Sequence, residues 1–141
     1  MPYAEQSHVE MAVGGPDRLV QLADWDGDGV VDSGVVIAAQ AAADSLIDSY
    51  ARKRYATPFA NPSETVRRVA AEECVYWLRQ ARGMVGPTEI EERKVRLAWL
   101  ESMSKGDVRP DEPAPAKSTA VRTVWKPSER AVSRRNLKGF C

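Results

Sequence analysis

One histidine, two cysteines and two phenylalanines are all that 141 residues hold of those types, and each scarcity removes a class of function. His8 stands alone, with no serine or cysteine nucleophile in a recognisable motif. That argues against a catalytic triad or a zinc centre, and His8 reads as a surface or helix-packing residue. Cys74 and Cys141 lie 67 positions apart, which is neither a disulfide framework nor a zinc spacing. Cys74 reads as a small buried apolar residue and Cys141 as an exposed thiol. No apolar run approaches the roughly 20 residues that cross a bilayer. The opening "MPYAEQSHVEM" lacks the basic start and apolar stretch of an export signal. The expectation is a soluble, unexported protein made in the cytoplasm, with no membrane partner. "VGGP" and "RGMVGP" lack the Lys-Ser/Thr of a phosphate loop, and no internal repeat is present.

What the chain does have is a split of charge. Lysine plus arginine balance aspartate plus glutamate at 20 each. Residues 1–108 nevertheless carry 12 basic and 17 acidic side chains, whereas residues 109–141 carry 8 and 3. An acidic body with a basic tail suggests a tail that docks on something acidic: a neighbouring copy, another protein, or nucleic acid.

The body reads as helix. "AEQSHVEMAVGG" is a short helix stopped by Gly14-Gly15, and "GPDRLVQLAD" restarts with Pro16 at its beginning. "SGVVIAAQAAADSLIDSYARKRY" repeats Val35, Val36, Ala39, Ala43, Leu46, Ile47 and Tyr50 at three- and four-residue spacing, the stripe of an amphipathic helix. Asn61-Pro62 with Glu64 has the form of a cap. It opens a helix over 62–82 with Val66, Val69, Ala70, Cys74, Trp77, Leu78 and Ala81 on one face. Thr88 with Glu91 predicts the next start, with Ile90, Val95, Leu97, Trp99, Leu100 and Met103 for burial and Gly106 as the stop. Glu72, Glu73, Glu89, Glu91 and Glu92 read as solvated faces or caps. The fold class is all-α, a small bundle of about four to five helices, with a long extended C-terminal arm. The domain plan is a helical domain over 1–106, a Pro-rich linker over 107–118 and a basic arm over 119–141. "STAVRTVW" has strand alternation, and a short helix can follow from Ser128. The arm is too small for a core of its own. Its Val121, Val124, Trp125, Leu137 and Phe140 need another surface, with Arg130, Arg134, Arg135 and Lys138 as charge partners.

"DWDGDGVVD", Asp24 to Asp32, admits two readings. Counted as a calcium loop, it offers Asp24, Asp26, Asp28 and Asp32 at ligand positions, with Gly29 at the turn. Position 12 is Val35, which cannot ligate, so any calcium is weakly held. As a metal-free turn, the aspartates bond nearby amides, the glycines take positive φ, and Asp32 caps the next helix. Either way the loop fixes the angle between two helices and no cofactor is required.

Three stretches together resemble a known family. "MPYAEQSHVEM", "LVQLADWDGDGVVD" and "AAADSLIDSYARKRYATPF" are similar to the Mu-like phage head–tail connector proteins, a phage domain formerly of unknown function. The matching positions are Met1, Tyr3 and Ala4; Leu22, Asp24, Asp26, Gly27, Asp28 and Gly29; and Ile47, Asp48, Ser49, Tyr50, Arg54, Tyr55 and Pro58. The resemblance covers about residues 1–105, and the family's chains often stop near Gly106. It implies a non-enzymatic virion protein of the neck. Such an adaptor docks on the portal after DNA packaging, as a ring of twelve copies, and offers a platform to a tail-completion protein, with genomic DNA passing through the lumen. It also implies that the arm, with Trp125 as anchor, binds the portal or a neighbouring subunit. The alternatives are a calcium-binding module or a small DNA-binding helical protein.

Overall fold

The computed structural model describes residues 1–110. Those residues form five helices and no strand: α1 Gln6–Val13, α2 Pro16–Ala23, α3 Ser33–Ala51, α4 Glu64–Ala81 and α5 Pro87–Lys105. The arm over 119–141, with the strand and short helix expected there from its sequence, lies outside the described residues.

α3 and α4 pack along their lengths and make the main joint of the bundle. α1 lies on α4 and leads directly into α2, and α5 rests against α3 more than against α4. The alanines of α3 let this happen. Ala39, Ala43 and Ala51 are buried with Val36 and Ile47, so the helix backbone comes close to its neighbour without a large side chain between them. Opposite them stand Val66, Val69, Ala70, Cys74 and Leu78 of α4. Leu19, Leu22, Leu100 and Met103 close the core from α2 and α5. Each large side chain buried this way contributes about 1.5–3 kcal/mol. Cys74 is fully buried, and loss of hydration pushes its thiol up to about 12. It is a packing residue.

The helix ends show where local reading works and where it does not. Gly14 and Gly106 end α1 and α5 in the left-handed conformation. At Gly106 (φ 89°) a Cβ would also collide with the Arg54 guanidinium, whose Nη1 donates to the Lys105 carbonyl at 3.0 Å. Arg54 thus caps α5 as well as following its own helix. α4 begins later than the Asn61 cap predicts: Ser63 is the cap, its Oγ accepting the Val66 N–H at 3.3 Å. The Ser63 N–H donates to the carbonyl of Pro110 at 3.1 Å, a distant tie that holds the preceding residues out of the helix. α5 begins earlier than Thr88. Pro87 takes the first helical position, and the Glu89 carboxylate accepts the Gly86 N–H at 2.9 Å.

Four apolar residues assigned to the core by spacing are exposed: Trp77, Ala81, Ile90 and Val95. The reverse error concerns Glu73. It is not solvated but 1% exposed, because α5 lays two arginines over it. Arg93 Nε reaches Glu73 Oε1 at 2.8 Å and Arg96 Nε reaches Oε2 at 3.4 Å. Arg93 also stacks over the Tyr76 ring at 4.4 Å, a cation–π contact. The α4–α5 joint is therefore ionic where the α3–α4 joint is apolar.

The N-terminal residues form a clasp. Tyr3 is buried, its ring 5.5 Å from that of Phe59. Its hydroxyl donates to the Asp48 carboxylate and accepts the Phe59 N–H at 3.0 Å. Its own N–H points at the Asp44 carboxylate, and Gln40 Nε2 donates to the Ala4 carbonyl at 2.8 Å. Tyr55 meets Phe59 edge-on. Tyr3 and Ala4 at one end of the chain and Asp48 and Tyr55 past its first third are thus one packed unit, which gives these separated positions a common structural task.

Candidate functional site

The acidic corner between α2 and α3 is built by its own side chains. Asp24 accepts two amides, Gly27 N–H at 2.7 Å and Gly29 N–H at 2.9 Å, one on each oxygen. Asp26 accepts the Asp28 N–H at 3.1 Å, and Asp28 accepts the Val30 N–H at 2.8 Å. Gly27 and Gly29 both sit at φ 81°, which side-chain-bearing residues rarely adopt. Asp32 occupies the cap position of α3, but its carboxylate turns back to the Trp25 N–H at 2.8 Å and makes no cap bond.

The end of the fourth helix locks the corner from outside. Arg82, just past α4, donates from Nε to the Leu22 carbonyl at 3.2 Å and from Nη2 to the Asp24 carbonyl. Its guanidinium also lies 5.8 Å from the centre of the Trp25 ring. The arginine therefore answers the end of α2 through its free carbonyls. The sequence offers no local hint of this, because Arg82 and Asp24 are far apart in the chain.

Electrostatically the aspartates are not equivalent. The Gly29 amide, helped by that of Gly27, holds the Asp24 carboxyl below its ordinary range. At Asp26 the Asp28 amide pulls down, but lost hydration and the charges of Asp28 and Asp32 outweigh it, and the carboxyl sits above its ordinary range. Oxygens of Asp24, Asp26 and Asp28 lie within 4.8 Å of one another, as a cation would require. Asp32 stands outside that group. Val35, at the position where a calcium loop needs its bidentate carboxylate, faces an apolar groove instead.

That groove is the second feature. Trp25 from the corner and Trp77 from α4 stand over a floor of Val35, Ala38 and Ala42 from α3, with Ala81 at the edge. It encloses about 450 Å³ and its lining is almost wholly apolar. Both tryptophans are open to solvent, Trp25 at 54% and Trp77 at 39%. An apolar surface of this kind marks an interaction site more often than a catalytic one. Sequence spacing placed Trp77 and Ala81 in the core and so hid the groove.

His8 is half-buried and plays a local part, its Nδ1 accepting the Glu5 N–H at 3.1 Å at the start of α1. The arm residues Val121, Val124, Trp125, Arg130, Arg134, Arg135, Lys138 and Phe140 lie outside the described residues. Among the described residues no helix is long and apolar enough to cross a membrane.

No curated protein matches the chain. The profile of the family described as Bacteriophage Mu, Gp36 matches residues 3–124. The match begins at the Tyr3 clasp, passes through the acidic corner and every helix, and continues beyond Gly106 to include Val121 and Val124. The likeness therefore extends past residue 105, into the arm. Covering most of the chain, it makes this protein a member of the bacteriophage Mu Gp36 family.

Proposed function

We propose that the protein is a structural virion component, the adaptor that joins a phage head to its tail. In this reading it docks on the portal protein as a ring of copies after DNA packaging and presents a platform to the tail-completion protein. The C-terminal arm binds the portal or a neighbouring subunit, and the lumen admits genomic DNA. The place of action is the neck of the virion, and no catalytic step is involved. The observation that carries the reading is membership of a phage family across residues 3–124. The body adds support. Its charged residues Glu73, Arg82, Arg93 and Arg96 are spent on internal ties, and its exposed tryptophans offer contact surface.

Electron microscopy of particles from a phage deleted for this gene tests the proposal. Full or leaking heads beside free tails are the expected result. Normal tailed particles would overturn it.

The corner supports a subsidiary reading as a weak calcium site, carried by the three close carboxylates of Asp24, Asp26 and Asp28. Calcium would bring these oxygens together and stiffen the angle between α2 and α3. Calorimetric titration should show heat at millimolar calcium that disappears in Asp24→Ala/Asp28→Ala. Equal traces for the two proteins would remove it.

A further inference from the structure

We infer that the groove between α3 and α4 is the seat of the chain's own arm. Its occupant is the segment around Val121, Val124 and Trp125, supplied by the same chain or by a neighbouring copy. The inference rests on the adaptor reading only in treating residues past 110 as a docking segment.

Three observations select this occupant. The first is where the chain leaves the body. Pro110 is fully buried, and its carbonyl holds the Ser63 N–H at the foot of α4. The groove begins at Trp77, fourteen residues up the same helix. At 1.5 Å per residue that is roughly 21 Å, reaching roughly 27 Å at Ala81. Residues 111–120 span about 31 Å even at the rise of a proline-rich linker. Along α4, Val121 therefore arrives within reach of the groove.

The second is apolar complementarity. The floor is made of small residues, Ala38 and Ala42 with Val35, between two tryptophan walls. Such a trough admits an extended segment with medium and large apolar side chains at close spacing, which "AVRTVW" supplies at Val121, Val124 and Trp125. Nothing among the described residues covers it.

The third is charge. Trp25 belongs to the acidic corner, so one end of the groove is flanked by Asp24, Asp26, Asp28 and Asp32. The residues that follow Trp125 include Lys126, Arg130, Arg134, Arg135 and Lys138. An arm seated by its apolar part brings its basic part to the aspartates, whose mutual repulsion at Asp26 it relieves. This gives the four carboxylates a cationic partner that the described residues do not provide, since Arg82 addresses carbonyls. Sequence position and surface agree: apolar residues first, basic residues after, against an apolar trough that ends in an acidic turn.

The test uses the full-length chain with Cys141→Ser; Cys74 is fully buried and does not compete. Ala38→Cys is paired in turn with Val121→Cys and Val124→Cys, and oxidised. Ala38 is exposed, so the substitution leaves the core intact. A disulfide needs Cβ atoms about 4 Å apart and forms only if the segment lies in the groove. Arg68→Cys, exposed on the far side of α4, serves as the control partner. A cross-link at Ala38 well above that at Arg68 supports the seat, with a monomer band meaning the same chain and a dimer band a neighbour. Equal yields at both positions overturn it. Independently of register, Ala38→Arg should raise hydrogen exchange over residues 119–126 by at least about tenfold, and added salt should do so partly. Exchange unchanged by Ala38→Arg also overturns the seat. The two proposals fail separately. A cross-link with normal virions from the deleted phage would leave the seat standing without the adaptor. Defective virions without a cross-link would leave the adaptor standing without the seat.

Discussion

Two contacts of α4, the long one with α3 and the smaller one with α5, are made of opposite materials. Between α3 and α4 the contact is alanine, valine, isoleucine and leucine, with no charge at the centre. Between α4 and α5 the centre is a glutamate sealed under two arginines. An apolar joint degrades gradually as methyl groups are removed or added, because each contributes a little. An ionic joint tolerates replacement of the whole set but not of one member, because the survivor is left charged and dehydrated. α5 is thus the more conditional helix, and α3–α4 the frame on which it is hung.

The largest effect should come from splitting the ionic joint. Glu73→Ala takes from Arg96, only 10% exposed, its nearer carboxylate and leaves it Glu72 at 4.0 Å. It should lower stability by about 4 kcal/mol in urea denaturation, with α5 loosening first by hydrogen exchange. Glu73→Met combined with Arg93→Met and Arg96→Leu should recover most of that loss. A cost below about 1 kcal/mol for the single change would show that the joint does not rest on these charges. Next in size is crowding of the apolar joint: Ala43→Leu, at a fully buried position of α3, should cost about 2 kcal/mol in the same assay.

The clasp provides a smaller, pH-dependent effect. Burial lifts the Asp44 carboxyl from 3.8 to about 6, against the pull of the Tyr3 amide, with the charge of Asp48 adding to the rise and the N-terminal amino group opposing it. Because the folded value is the higher one, the stabilisation is present below about pH 4 and is lost as pH rises through about 6. After discounting for solvent, the change should be about 1 kcal/mol, and Asp44→Asn should flatten it. The smallest effect belongs to the surface. Lys94→Ala breaks a pair with Glu91 in which both side chains are more than half exposed. It should alter stability by no more than about 0.5 kcal/mol.

The stripe of α3 and the stops at Gly14 and Gly106 were legible because their causes are local: period, small side chains, and a backbone conformation that glycine accepts. The amide-bonding turn from Asp24 to Gly29 was legible for the same reason. What sequence spacing misplaced was decided from a distance. Asn61 fails as a cap because Pro110 holds Ser63. Glu73 is buried because α5 lands on it, and the spacing of Arg93 and Arg96 marks one face of α5 without saying what that face covers. The apolar stripe of α4 runs past the core at Trp77 and Ala81 because no described helix covers that face. Spacing reports which residues share a face, and only packing reports whether the face is covered.

The buried Pro110 has a mechanical consequence. Its carbonyl is fixed to the first turn of α4, and Tyr55 and Arg54 hold the preceding residues at Val108 and Lys105. A pull on residues 111–120 therefore enters the body at the foot of α4, the best-buried helix, and loads the α3–α4 frame before it reaches the acidic corner. The arm is attached as a rope is tied to a keel rather than to a rail.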